Sequence, residues 1–186
     1  LKDTSREFSL RVSYLEIYNE DIKDLLGPEH QKLQIHENVE KGIFVAGLRE
    51  DIVTSPQQVL EMMEFGESQR HFGVTNMNSY SSRFNLSSHT ILTGSHTIFR
   101  MIIESRQKIQ NEGFGNTVRV SVLNLVDLAG SERAAKTGTA GVRLKEGSHI
   151  NKSLMTLGTV IKKLSKGVEN QGGHVPYRDS KLTRIL

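Results

Sequence analysis

The chain has 186 residues, 36% hydrophobic and 24% charged, with a formal net charge of +3, enough for one sizeable core and too apolar for a disordered segment. It holds no cysteine, which excludes disulfides and thiolate metal sites and fits a reducing compartment. No apolar run approaches the roughly 20 residues of a membrane helix, no signal-peptide pattern opens the chain, and the seven histidines lack paired helical spacing.

Residues 8–18 alternate and are rich in Val, Tyr, Leu and Ile, which predicts a strand closed by Asn19, Glu20 and Asp21. Ile22, Leu25 and Leu26 then predict a short helical turn ended by Gly27 and Pro28. Residues 33–35 and 43–45 predict short strands with a turn at Lys41 and Gly42. A helix start follows: Ser55 as N-cap, Pro56 in the first position and Gln58 completing a capping box. Val59, Met62 and Met63 give that helix its buried stripe, to about Phe72. Residues 98–103 and 118–126 predict two more strands, paired across the Gly-rich loop 111–116.

In the last long helix, Leu154, Leu157, Ile161 and Leu164 fall on one side, with Lys152, Lys163 and Lys166 opposite and Gly167 as its stop. A second basic amphipathic segment, 177–184, follows. From residue 130 onward there are eleven Lys+Arg against four Asp+Glu, whereas residues 1–129 hold thirteen against seventeen. This polarity fits either a solvated face or an acidic partner. Strands interspersed with helices predict an α/β domain.

The most informative segment is Asp-Leu-Ala-Gly-Ser-Glu at 127–132, directly after an apolar strand. A strand-end aspartate can hold a Mg²⁺-bound water, and a following glycine lets its N–H approach a phosphate oxygen. No Gly-x-x-x-x-Gly-Lys-Ser/Thr segment accompanies it. Taken singly, this motif and the polar run 78–83 are weak. Together with Asn-Lys-Ser-Leu at 151–154 and His-Val-Pro-Tyr-Arg-Asp-Ser-Lys-Leu-Thr-Arg at 174–184 they are specific in this order. The chain resembles the kinesin motor domain, most of all its centromere-associated and plant branch, from the strand at 12–20 to the last residue.

The resemblance implies a central mixed β-sheet with helices on both faces, related to P-loop NTPases, with the first strands and the phosphate-binding loop lying outside the chain. It implies that Asn78, Ser81, Ser82 and Arg83 form a first switch whose serine oxygens meet the Mg²⁺ shell and the hydrolytic water. Asp127, Gly130 and Glu132 form a second switch, with Glu132 pairing Arg83 as the loops close. Ser82, Asp127 and Gly130 would contact the nucleotide, and Ser82 and Asp127 (through water) the metal. Lys145, on the loop before the long helix, with Lys152, Lys163, Lys166, Arg178, Lys181 and Arg184, would face the microtubule. ATP and Mg²⁺ are the implied ligands and tubulin the implied partner, in the cytoplasm and on the cytoskeleton, spindle included. A homodimer would form through a stalk outside the chain.

One departure lies inside the first switch. The family reads Ser-Ser-Arg-Ser-His without interruption, and here residues 84–94, eleven in all, separate Arg83 from Ser95 and His96. Either His89 or His96 could take the family position, though only His96 leads directly into the strand. A translated intron, a decayed copy and a functional insert are the three explanations. Such an insertion is cheap for folding but could be ruinous for a switch. With the phosphate loop outside it, the chain alone is expected to turn over negligible ATP. A non-catalytic microtubule-binding module is the alternative reading. A nucleic-acid binder is disfavoured, since only Tyr177 stands near the lysines to stack on bases, and nothing points to a membrane.

Overall fold

The computed structural model describes residues 6–28, 32–40, 42–70, 95–107, 118–130, 142–165 and 174–186, the side chains of 142–151 excepted. Strands β1 (Arg6–Tyr18), β2 (Asp21–Asp24), β3 (Lys32–Asn38), β4 (Gly42–Ala46) and β5 (Asp51–Val53) precede helix α1 (Pro56–Gln69). Strands β6 (His96–Gln107) and β7 (Arg119–Asp127) follow, then helix α2 (Val142–Ser165), a 3-10 turn at Tyr177–Asp179 and the short helix α3 (Lys181–Ile185). The sheet runs β4-β3-β2-β1-β6-β7, with β5 also on β1. The pairings among the described strands are antiparallel.

β1 is the spine. Residues 12–17 are all buried, because its two faces pack against different layers. Leu15 and Ile17 join Ile22, Leu33, Val45, Ile98, Leu182 and Ile185 in one cluster, with Leu157 of α2 against it. Val12 and Tyr14 join Leu25, Leu26, Val53 and Phe99 in the other, covered by Val59, Met62 and Met63 of α1. Period-2 alternation thus feeds two cores, and helices cover both faces as expected of this α/β fold.

The predicted helical turn at Ile22, Leu25 and Leu26 is instead strand β2 followed by a bend. Asn19 and Glu20 both have positive φ, 50° and 60°, and Tyr18 pairs with Asp21. That is the geometry of a two-residue hairpin with the twist antiparallel strands need. Asp24 then shapes the bend, its Oδ1 accepting from the N–H groups of Leu26 (2.9 Å) and Gly27 (3.0 Å) and its Oδ2 from Arg49 N–H (2.8 Å). A Cβ on Gly27 would lie 2.8 Å from Asp24 Oδ2.

The start of α1 is as the sequence predicts. Ser55 Oγ accepts from Gln58 N–H at 3.3 Å, and Pro56 opens the helix. Gln58 reaches back one residue further than a capping box requires, its Oε1 accepting from Thr54 N–H at 2.8 Å. Ser55→Ala should cost about 1 kcal/mol of folding stability, read as a lower urea midpoint at an unchanged slope. An unaltered midpoint would show that Gln58 alone suffices.

On α2 the predicted stripe is covered only in part, with Leu154 half-buried and the cover extending to its neighbours. Ser153 and Val160 are buried, Leu157 is half-buried, and Ile161 and Leu164 stay 57% and 46% exposed. Lys145 lies within α2 rather than on a loop before it. Among the described residues no helix is long and apolar enough to cross a membrane.

Candidate functional site

β7 pairs with β6 along its length, Thr97 opposite Asp127, which sets Asp127 at the sheet's end. There it meets Arg70, just past the end of α1: Arg70 Nη1 donates to Asp127 Oδ2 at 2.8 Å and lies 3.3 Å from Glu67 Oε2, while Nη2 donates to the Ser95 carbonyl at 3.3 Å. Burial disfavours the Arg70 cation, but the Asp127 hydrogen bond and the Glu67 charge outweigh it and hold the guanidinium above its usual range. Glu67 also accepts a hydrogen bond from the Tyr14 hydroxyl. Burial and then that carboxylate push the Tyr14 phenol well above its ordinary value.

Two residues beyond Asp127, Ala129 N–H donates to His96 Nδ1 at 2.9 Å. A ring nitrogen that accepts carries no proton, so the His96 proton is on Nε2, which donates to Ser153 Oγ of α2 at 2.7 Å. Burial lowers the His96 pKa, in keeping with a neutral ring. The described site is therefore a chain of polar contacts, buried at Tyr14, Arg70, His96 and Ser153 and open to solvent at Glu67 and Asp127. It runs from Tyr14 on β1, through Glu67 and Arg70, to Asp127, and from Ala129 through His96 to α2.

The basic elements pack together on the face that carries Leu157: α2 lies against the 3-10 turn and α3. Several of their cations have partners within the chain. Lys163 Nζ donates to the His174 carbonyl at 2.6 Å, and Arg178 and Arg184 lie 2.9 and 3.8 Å from Glu37 Oε2. Lys152 is exposed and Lys181 half-buried. Glu37, Tyr177, Arg178 and Arg184 line a cavity of about 970 Å³ between the β3–β4 hairpin and α3.

The family model described as kinesin motor domain matches residues 1–186. The chain belongs to the kinesin motor domain family. It is 81% identical over 188 residues to kinesin-like protein KIN-7O of Arabidopsis thaliana, covering all of this chain and 14% of that protein. It is 56% identical to human centromere-associated protein E, covering all of this chain and 6% of that one. Among solved structures, a KIF14 dimer bound to a microtubule with AMP-PNP matches at TM-score 0.85 and 34% identity, over the whole chain and 50% of that one. A fast kinesin matches at 0.75 and 43%, over the whole chain and 47% of that one. The chain thus spans about half of these motor structures and a small part of the curated relatives.

Within this kinesin fold, Asp127 and Gly130 stand at the end of β7. Asn78, Ser81, Ser82, Arg83, Glu132 and Lys166 lie outside the described residues, as do residues 84–94 and the side chain of Lys145. Of the two candidate histidines, His96 is the one that begins β6. Arg70 and Glu67 went unread in the sequence, and Ser153 was read only as part of the 151–154 motif; an arginine at a helix end gives no sign of a carboxylate 57 residues away. Asp127 suits the metal that the family implies. Mg²⁺ keeps most of its waters and takes one or two carboxylates beside substrate phosphates. Asp127 would serve as such a carboxylate, through water, since Arg70 orients it and 64% of its side chain is still open.

Proposed function

We propose that the chain is the switch-bearing and track-binding part of an ATP-driven microtubule motor. The observation that carries this reading is the continuous link from a strand-end carboxylate, through the backbone after it, to a helix bearing exposed lysines. Asp127 would orient a Mg²⁺-bound water, Mg²⁺ would neutralise phosphate charge, and Gly130 would offer its N–H to the terminal phosphate. Asn78, Ser81, Ser82 and Arg83 would form the facing switch loop, and Glu132 would close on Arg83. A charge-assisted fork of that kind breaks with small loop shifts, which suits a sensor of a lost phosphate. Lys145, Lys152, Lys163, Lys166, Arg178, Lys181 and Arg184 would meet acidic tubulin.

Microtubule co-sedimentation of a complete motor domain carrying this chain, with ADP or a non-hydrolysable ATP analogue, tests the reading. Affinity should differ between the two nucleotides, whereas a passive microtubule binder would show equal pelleting in both. Alanine at Lys152, Lys163, Arg178 and Lys181 together should weaken pelleting and flatten its dependence on salt. Arg178→Ala alone should matter less than Lys152→Ala, because its guanidinium is already paired with the Glu37 carboxylate. Pelleting by the quadruple variant that matches wild type across a salt series would remove these residues from the interface.

A further inference from the structure

Deepening that reading, we propose that His96 is the positioning residue through which movement of the 127–130 segment reaches helix α2. Its backbone is a fixed pivot, since it opens β6 and pairs with Ile17 on the buried spine of the sheet. Its ring is two-ended: Nδ1 takes the Ala129 N–H and Nε2 gives to Ser153 Oγ. His96 and Ser153 are each 2% exposed and Ala129 5%. Bulk solvent therefore reaches neither end, and breaking either bond leaves a nitrogen of the buried ring without that partner.

An aromatic ring on an anchored backbone cannot stretch. When the Ala129 N–H moves, the ring must turn with it or lose its acceptor role, and in either case the donor end moves against Ser153. The direction of the donors also matters. With Nδ1 committed as acceptor, Nε2–H is the proton that remains, so one tautomer serves both contacts and neither can reverse without the other. The 127–129 segment is thus gripped twice: Arg70 holds Asp127 at its start and His96 holds Ala129. The second grip leads onward to the helix that carries Lys152, one residue from Ser153.

The test separates the two ends of the ring. His96→Asn places an oxygen near the Nδ1 position and keeps an acceptor for Ala129, but does not reach Ser153. Ser153→Ala removes the hydroxyl that Nε2 meets on the helix, and Ser153→Thr restores one. In a complete motor domain carrying the chain, microtubule affinity is measured by co-sedimentation with ADP and with a non-hydrolysable ATP analogue. The ratio of the two affinities should fall about tenfold in His96→Asn and Ser153→Ala, recover in Ser153→Thr, and fall no further in the double variant. A purely structural role would lower the melting temperature and both affinities together, leaving their ratio intact, and that result overturns the proposal. So do additive losses in the double variant. A wild-type ratio of one fails the functional reading itself, and is distinct from a wild-type ratio that the variants simply retain.

Discussion

Asp127→Ala should destabilise the fold more than Arg70→Met, although both remove the same 2.8 Å ion pair. The Arg70 side chain is 4% exposed and that of Asp127 64%. When Asp127 goes, a guanidinium stays inside the protein and loses its 2.8 Å carboxylate, although the Ser95 carbonyl and the partly exposed Glu67 still lie beside it. Losing a charge-assisted hydrogen bond on the buried side of the pair then costs about 2 kcal/mol. When Arg70 becomes methionine, no charge is trapped. Asp127 turns to water and the methionine fills much of the same volume, so the loss should be about 1 kcal/mol. In the Arg70→Met background, Asp127→Ala should add almost nothing, the mark of residues acting as a unit.

Activity, unlike stability, should fall steeply in Arg70→Met as well as in Asp127→Ala. Arg70→Met leaves Asp127 present but unaimed, and misplacing one group by about 1 Å can cost on the order of 10²-fold in turnover. Urea unfolding and microtubule-stimulated ATPase of the same variants, each in a complete motor domain carrying the chain, check both halves. Equal destabilisation by the two single substitutions would show that the pair is not buried on the Arg70 side. Full ATPase in Arg70→Met would show that Asp127 needs no such aiming.

What the sequence made legible, and what it hid, follows from the range of each interaction. β1, β3, β4, β6, β7 and the capped start of α1 declare themselves through neighbours a few residues apart. β2 does not, because Ile22, Leu25 and Leu26 are spaced like a helical face, and the left-handed Asn19 and Glu20 that make a hairpin lack the usual glycine. β5 is three residues long and exists through its pairing with β1. On α2 the 3,4,3 spacing identified a helix correctly, and Leu154 and Leu157 are half-buried as the stripe requires, yet a period does not say how far along the helix the cover extends or which flanking residues it takes in. Ser153 and Val160 are buried, and Ile161 and Leu164 are not. The site divides in the same way. Asp127 and Gly130 were readable as a strand-end motif, whereas Arg70, Glu67, Tyr14 and Ser153 reach it only through the packing of α1 and α2 on the sheet.

Gly66→Ala should destabilise the protein by about 3 kcal/mol, lowering the melting temperature by about 10 °C, although the same change inside an exposed helix stabilises. Glycine in a helix ordinarily costs about 1 kcal/mol relative to alanine. Here a Cβ on Gly66 would sit 2.2 Å from Tyr14 Cδ1 and 2.6 Å from Cε1. The ring cannot yield easily: Tyr14 is 3% exposed, stands edge-on to Phe99 at 5.2 Å, and its hydroxyl is bonded to Glu67, the next residue of the same helix. The helix must move instead, and Arg70 lies about one turn further along it. Gly66→Ala should therefore loosen the grip on Asp127 and lower the nucleotide response along with stability. Tyr14→Ala provides the decisive background. With the ring gone the clash is gone, and Gly66→Ala should become neutral or mildly stabilising by thermal melting. A loss as large in that background as in the wild type would mean that something other than the Tyr14 ring keeps position 66 without a side chain.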